Sequence, residues 1–123
     1  MATAVAALLG SGSYIQKGVY THTWNATVSG RGNPLSAVHL ADKTIQIQGP
    51  TGGTSRIIIE GTNGDDASTA TWVTLTTPTD GALDFTNVTG GQLKGILQNP
   101  RLIRPHFETV TTGKTLSVIL IAR

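Results

Sequence analysis

From residue 19 onward, apolar and polar side chains alternate with a period of two, the spacing that sends successive side chains to opposite faces of a strand. Across residues 19–28 one face carries Tyr20, His22, Trp24, Ala26 and Val28, while Val19, Thr21, Thr23, Asn25 and Thr27 occupy the other. That pattern predicts a half-buried strand. Residues 44–48 repeat it with Ile45 and Ile47 inward, and the glycines and proline of residues 49–53 predict a turn and a hairpin into residues 55–60. Ile57, Ile58 and Ile59 stand in succession. A strand of this kind is buried on both faces or has its second face covered by a partner.

Asn63-Gly-Asp-Asp66 predicts a loop, and strand character resumes over residues 71–76. Residues 78–81 turn the chain, Leu83 and Phe85 share a face, Gly90 and Gly91 predict another turn, and residues 92–97 follow no dominant pattern. In residues 101–110, Ile103 and Phe107 share a face, and Pro105, which has no N–H to give to a ladder, predicts an edge or a bulge. Thr112-Gly-Lys114 predicts a tight turn before the most β-branched run, residues 115–122, so that residues 101–122 read as a hairpin. Seven to nine short strands, with a turn every eight to twelve residues, predict an all-β chain. The expected fold is one antiparallel β-sandwich or jelly roll over residues 17–123, with an extended N-terminal arm over residues 1–16.

Composition narrows the chemistry. The chain has 123 residues, enough for one core without staples, and no cysteine, so neither a disulfide framework nor a thiolate metal site is expected. Basic residues are scattered from Lys17 to Arg123, with Arg101 and Arg104 the one local concentration, so no nucleic-acid partner is expected. No stretch approaches the roughly 18 apolar residues of a spanning helix, which argues against a membrane-spanning role. The apolar start, including Ala2, Val5, Leu8 and Leu9, lacks the basic n-region of a signal peptide and reads as a retained segment.

Catalytic patterns are missing as well. His22, His39 and His106 are isolated in sequence, no Gly-x-Ser-x-Gly elbow occurs, and the acids cluster in turns, where aspartate is favoured for backbone reasons. His22, on a face with Tyr20 and Trp24, reads as a packed histidine, not as a base. The expectation is a protein that binds or assembles through its surface, with no catalytic residue, metal or cofactor. Ile119 and Ile121, flanking Leu120, put apolar groups on both faces of the last strand and suggest cover from a neighbouring subunit.

The second half of the chain carries a resemblance. Ile57-Ile-Ile-Glu-Gly-Thr-Asn63, Thr71-Trp-Val-Thr-Leu75, Arg101-Leu-Ile-Arg-Pro105 and the last apolar strand are similar to small β-sandwich structural proteins of tailed bacteriophages. The Trp and Ile-Arg region also resembles discoidin-like carbohydrate-binding modules. The phage resemblance implies a capsid decoration, or cement, protein made in the host cytoplasm and carried on the capsid surface. Its partners would be the major capsid protein and other copies of itself, as a homotrimer. Residues 2–14 would then form a docking arm that includes Ala2, Val5, Leu8, Leu9 and Tyr14. Arg101 and Arg104 would serve as polar anchors, and Ile119 and Ile121 would lie at the interface. The discoidin resemblance implies instead a glycan partner, stacked on Trp24, Trp72, Tyr14 or Tyr20, although Trp24 lies on an otherwise apolar face and Trp72 adjoins the alternating Val73 and Leu75, which predicts both tryptophans in the core. A tail-tube or connector subunit is a third reading of an all-β chain.

Overall fold

The computed structural model describes residues 10–49, 54–88 and 90–123. They form two antiparallel sheets packed face to face. The first sheet is built from β1 (Ser11–Gln16), β2 (Val19–Ala26), β10 (Leu116–Ala122), β4 (Lys43–Gly49) and β8 (Gly90–Ile96), in that spatial order. The second runs β3 (Gly30–Arg31), β9 (Leu102–Val110), β5 (Ser55–Thr62) and β6 (Val73–Thr74), with β7 (Asp84–Thr86) also paired to β5. Among the described residues the strand count is ten because three elements of two or three residues join the longer strands that the alternation marks.

The pairings share one logic. β2 pairs β10, β3 pairs β9, β4 pairs β8, and β5 pairs both β6 and β7, as if a long hairpin had been laid out flat. Rolling that ribbon adds the contacts of β10 with β4 and of β9 with β5, which gives a jelly roll. Two sequence expectations are corrected by this topology. β4 and β5 do not form a hairpin, because they belong to different sheets; of the turn expected at residues 49–53, Gly49 ends β4 and residues 50–53 lie outside the described residues. β9 and β10 likewise lie in different sheets, although Lys114 N–H does close a turn on the Thr111 carbonyl at 3.0 Å.

The core follows the predicted faces. Trp24 and Ala26 from β2, Ile45 and Ile47 from β4, Ile57 and Ile59 from β5, Ile103 and Phe107 from β9, and Leu116, Val118 and Leu120 from β10 are all buried between the sheets. Leu83 and Phe85 join them. Val28 does not: β2 ends at Ala26, and Val28 lies exposed in the turn beyond. Ile58 points to the outer face of the second sheet, where it is partly buried opposite Asp84 and His106. Gly90 and Gly91 open β8 and do not simply turn the chain, so the patternless residues 92–97 are largely strand.

Pro105 sits on an interior strand, neither at a sheet edge nor at the β9 irregularity, which lies opposite Arg56 and Ile57. The neighbour that a residue at this position would address is itself interrupted. β3 stops after Arg31, Gly32 N–H bonds the Pro105 carbonyl at 2.8 Å, and pairing resumes only at the Leu35–Ile103 bridge. The Asn33 carbonyl in that gap accepts a bond from Trp24 Nε1 at 3.0 Å instead. A proline is tolerated inside this sheet because the ladder bond it cannot make has been reassigned.

The described chain joins the sandwich by Ser11, since Ser11–Gln16 is a strand hydrogen-bonded along β2. The residues expected to form the arm therefore divide, with 11–16 built into the first sheet and 1–9 outside the described residues.

Candidate functional site

The two outer faces of the sandwich differ in kind. In an antiparallel ladder, directly opposed residues project to the same face, so the register gives the outer surface of the first sheet. It is formed by Ser11 and Ser13 of β1, Thr21, Thr23 and Asn25 of β2, Ser117, Ile119 and Ile121 of β10, Thr44, Gln46 and Gln48 of β4, and Leu93 with two glycines of β8. None carries a charge. Ile119 and Ile121 lie half-buried at its centre, and Leu93 is 69% exposed. A hydroxyl from Ser117 bonds Asn25 Oδ1 at 2.5 Å, tying adjacent strands across this surface. The face is neutral and only partly apolar, the character of a surface that can lie against another protein.

The outer face of the second sheet is charged and internally paired. Arg56 donates from Nε and Nη2 to the two Asp84 oxygens at 3.0 and 2.8 Å, and it meets Glu108 at 2.9 Å. These bonds hold the Asp84 carboxyl below its ordinary range. Further along the same two strands, β5 and β9, Arg104 Nε donates to Glu60 at 2.6 Å, and the guanidinium carbon lies 3.7 Å from the centre of the Trp72 ring. Trp72 is held in turn by its Nε1 bond to the Ala67 carbonyl at 3.0 Å. This corrects its expected place in the core. Only Val73 and Thr74 pair as β6, both exposed, and the indole covers the outside of the sheet.

The candidate contact residues therefore separate. Arg104 is committed to Glu60, with its side chain only 12% exposed. Arg101 is more open, yet it pairs with Asp65 at 2.9 Å and its backbone N–H bonds Asn63 Oδ1 at 3.0 Å. Tyr14 is exposed at the sheet edge, where its hydroxyl is hydrogen-bonded to His39 Nε2 at 3.2 Å. Ile119 and Ile121 lie together on the neutral face. Ala2, Val5, Leu8 and Leu9 lie outside the described residues.

Tyr14 begins a run of aromatic rings that continues through Tyr20 and His22 to Trp24, with centroid separations of 5.1, 6.0 and 4.4 Å. Gly10 and Gly12 of the edge segment make room for it. A Cβ at Gly12 would fall 2.5 Å from His22 Nδ1, and one at Gly10 would fall 2.5 Å from His22 Nε2. His22 Nδ1 reaches the Tyr20 hydroxyl at 3.2 Å, but Nε2 is buried with no partner among the described residues. Burial pushes the His22 pKa below its ordinary value of 6.5. Because the unfolded chain then holds more protons than the folded one, stability should fall as pH drops from 6.5 through the lower folded value. His22→Gln is expected to flatten the acid limb by up to about 1.4 kcal/mol per pH unit in that window. Urea denaturation at a series of pH values measures this, with a shallow slope left by His106, whose pKa burial also lowers.

A shallow cleft of about 280 Å³ opens where the end of β5 meets β6 and residues 98–100. Thr62, Asn63, Thr74, Gln98 and Asn99 line it, with Leu75 and Pro100 as apolar floor. Many of its polar atoms already serve the fold. Gln98 is bonded twice to Thr76, and Asn99 donates to the Val38 carbonyl and accepts from Lys43. Lys43 itself is buried, with its ammonium on the Leu40 carbonyl at 2.7 Å and on Asn99, and burial lowers its pKa. Sequence reasoning missed this clamp because its partner lies 56 residues away. Among the described residues, no three His, Asp or Glu side chains converge as metal ligands.

No protein-family model matches the sequence, and neither does any curated protein. Among solved structures, the fold is similar to that of SPBc2 prophage-derived protein YomS, with a TM-score of 0.59 and 13% identity over 85% of this chain and 95% of that one. At that identity the likeness is one of fold: a nearly whole-chain β-sandwich of the same build.

Proposed function

We propose that this chain is a non-enzymatic structural protein of a bacteriophage virion, acting as a capsid decoration protein that braces the assembled head. The observation that carries the reading is the neutral outer face of the first sheet, centred on Ile119 and Ile121, on a domain whose other large face is charged and internally paired. The phage context rests on the shared fold with a prophage-derived protein and on the sequence resemblance of residues 55–123. A surface of hydroxyls, amides and two isoleucines suits a broad contact made of many modest interactions. Repetition over a shell multiplies such contacts. A subunit that binds the closed shell and not its separated parts shifts the equilibrium toward the shell. Residues 2–9 would reach a neighbouring capsomer from the edge of the same sheet.

Co-sedimentation of the purified protein with heads and, separately, with tails of the phage that encodes it tests the reading. Wild-type protein should saturate heads and stay off tails. Ile119→Asp should abolish binding, Arg56→Ala on the opposite face should leave it unchanged, and deletion of residues 2–9 should weaken it. Binding to tails alone would move the chain to the connector reading, and unchanged binding by Ile119→Asp would remove the neutral face from the argument. The two tryptophans do not favour the glycan reading, because Trp24 is in the core and Arg104 covers one face of Trp72.

A further inference from the structure

β8 closes one side of the first sheet, and its hydrogen-bonding direction can be worked out along the ladder. Asp42 and Arg123 exchange both of their backbone bonds, at 3.1 and 2.9 Å. Counting along β4 in twos, Thr44, Gln46 and Gln48 then address β10, while Lys43, Ile45 and Ile47 address β8. Their partners Ile96, Lys94 and Gln92 face back to β4. The N–H and C=O groups of Gly91, Leu93 and Gly95 are left pointing to the open side. Leu97 obeys the same alternation, since its N–H turns away from β4 and bonds the Thr76 carbonyl at 2.8 Å.

Exposed edges of this kind are ordinarily blunted by prolines, bulges or several charges. β8 has no proline, pairs with β4 in unbroken register from Gly90 to Ile96, and carries Lys94 as its one charge. Two of the three residues that present backbone to the open side are glycines, which places no side chain in the way of an approaching strand. Pro78 approaches Gly95, 3.5 Å from where its Cβ would stand, so the freest stretch is Gly91 to Leu93.

We propose that β8 pairs with β8 of a second copy, antiparallel about a two-fold axis at Gln92, joining the two first sheets into one. In that register Gly91 opposes Leu93 of the other copy, and the two such pairs make four interchain backbone bonds. Leu93 covers the opposing glycine, which withdraws from water the most exposed large apolar side chain among the described residues. The two Lys94 residues stand opposite the Gly90 positions, on either side of the axis and clear of each other.

The alternative edge contact fails on the pleat. On β1, Gly12 and Tyr14 address the open side, yet their side chains belong to the inner face, with Tyr20 and His22 opposite them. Antiparallel pairing of β1 with β8 would set inner against outer and place the two sandwiches on opposite sides of the joined sheet. Self-pairing of β8 keeps both neutral faces on one side, forming a continuous surface of ten strands. This inference stands without the capsid reading, because it concerns only the free protein.

The chain has no cysteine, so engineered thiols give an unambiguous test. In the proposed register Gln92 faces Gln92 of the other copy as a non-hydrogen-bonded pair, with Cα atoms about 4.5 Å apart, within disulfide range. Gln92→Cys should oxidise rapidly to a covalent dimer. Lys94→Cys should not, since its two copies stand about 14 Å apart along the strands. Sedimentation velocity should show a reversible dimer whose affinity drops about tenfold or more in Leu93→Pro. That variant removes an N–H directed away from β4, so an unchanged circular dichroism spectrum confirms that it is folded. A monomer at all concentrations, equal oxidation at positions 92 and 94, or full dimerisation of Leu93→Pro overturns the proposal.

Discussion

Trp24→Ala is expected to lower the unfolding free energy by about 3–5 kcal/mol, a large share of the roughly 5–15 kcal/mol that holds a domain of this kind together. The indole is 1% exposed and is enclosed on several sides. Its ring packs 4.4 Å from His22, and a Cβ on Gly10 or Gly32 would come within 2.8 or 2.9 Å of its Cδ1. Such glycines exist to let the backbone close on the ring, so the surroundings have little freedom to fill the vacated volume. The substitution also removes the Trp24 Nε1–H bond to the Asn33 carbonyl across from Pro105, and losing a partly buried hydrogen bond of this kind costs about a further 0.5–1.5 kcal/mol. Trp24→Phe separates the two contributions. It restores much of the ring volume without the donor, and a loss of about 1–3 kcal/mol is expected. Urea denaturation reads both variants as a shift in midpoint at unchanged slope. A loss under about 1 kcal/mol for Trp24→Ala would mean that the gap in the β3–β9 ladder is held by something other than this side chain.

Trp24 also marks how far the sequence carries. Its place in the core was legible, as were those of Ile45, Ile47, Ile57, Ile59 and Phe107, because alternation records which face of a strand meets the opposing sheet. Alternation does not record which strand lies alongside. The pairing of β2 with β10 joins the two ends of the described chain, and nothing local distinguishes it from a pairing with the next strand. Turn residues therefore suggested hairpins at residues 49–53 and 112–114, whereas the flanking strands belong to different sheets. The same limit hid the clamp at Lys43, since a lysine opening a strand looks solvated until Asn99 arrives from residue 99 to receive it. Trp72 was misplaced for a related reason. Val73 and Leu75 gave it the context of a core strand, but the pattern contained no sign that Arg104 required a cover. The neutral outer face was visible as polar residues rich in Thr and Gln, whereas its continuity over five strands emerged only from the register.

Glu60→Ala should be the costliest single change on the outer surface of the second sheet, at about 3–5 kcal/mol, and the reason lies in what remains after it. Glu60 and Arg104 each have side chains only 12% exposed, joined by a 2.6 Å bond, with Arg31 a further 3.9 Å from the same oxygen. Taking two charges from water is expensive, and their mutual attraction offsets the expense only while both are present. Alanine at position 60 leaves the Arg104 guanidinium beneath Trp72 with a cation–π contact and no counter-ion, and that contact contributes only about 0.5–2 kcal/mol. The loss should therefore largely disappear in combination. Glu60→Leu with Arg104→Met removes both charges, keeps the volume, and is expected to lie within about 1 kcal/mol of wild type although each single change is destabilising. A double-mutant cycle by urea denaturation measures the coupling, and Trp72 fluorescence reports whether the indole still seats on the sheet. If the double variant loses as much as the sum of the two single ones, the ion pair is not coupled as its geometry requires. In that event the cover over this face would have to come from the Trp72 bond to Ala67 alone.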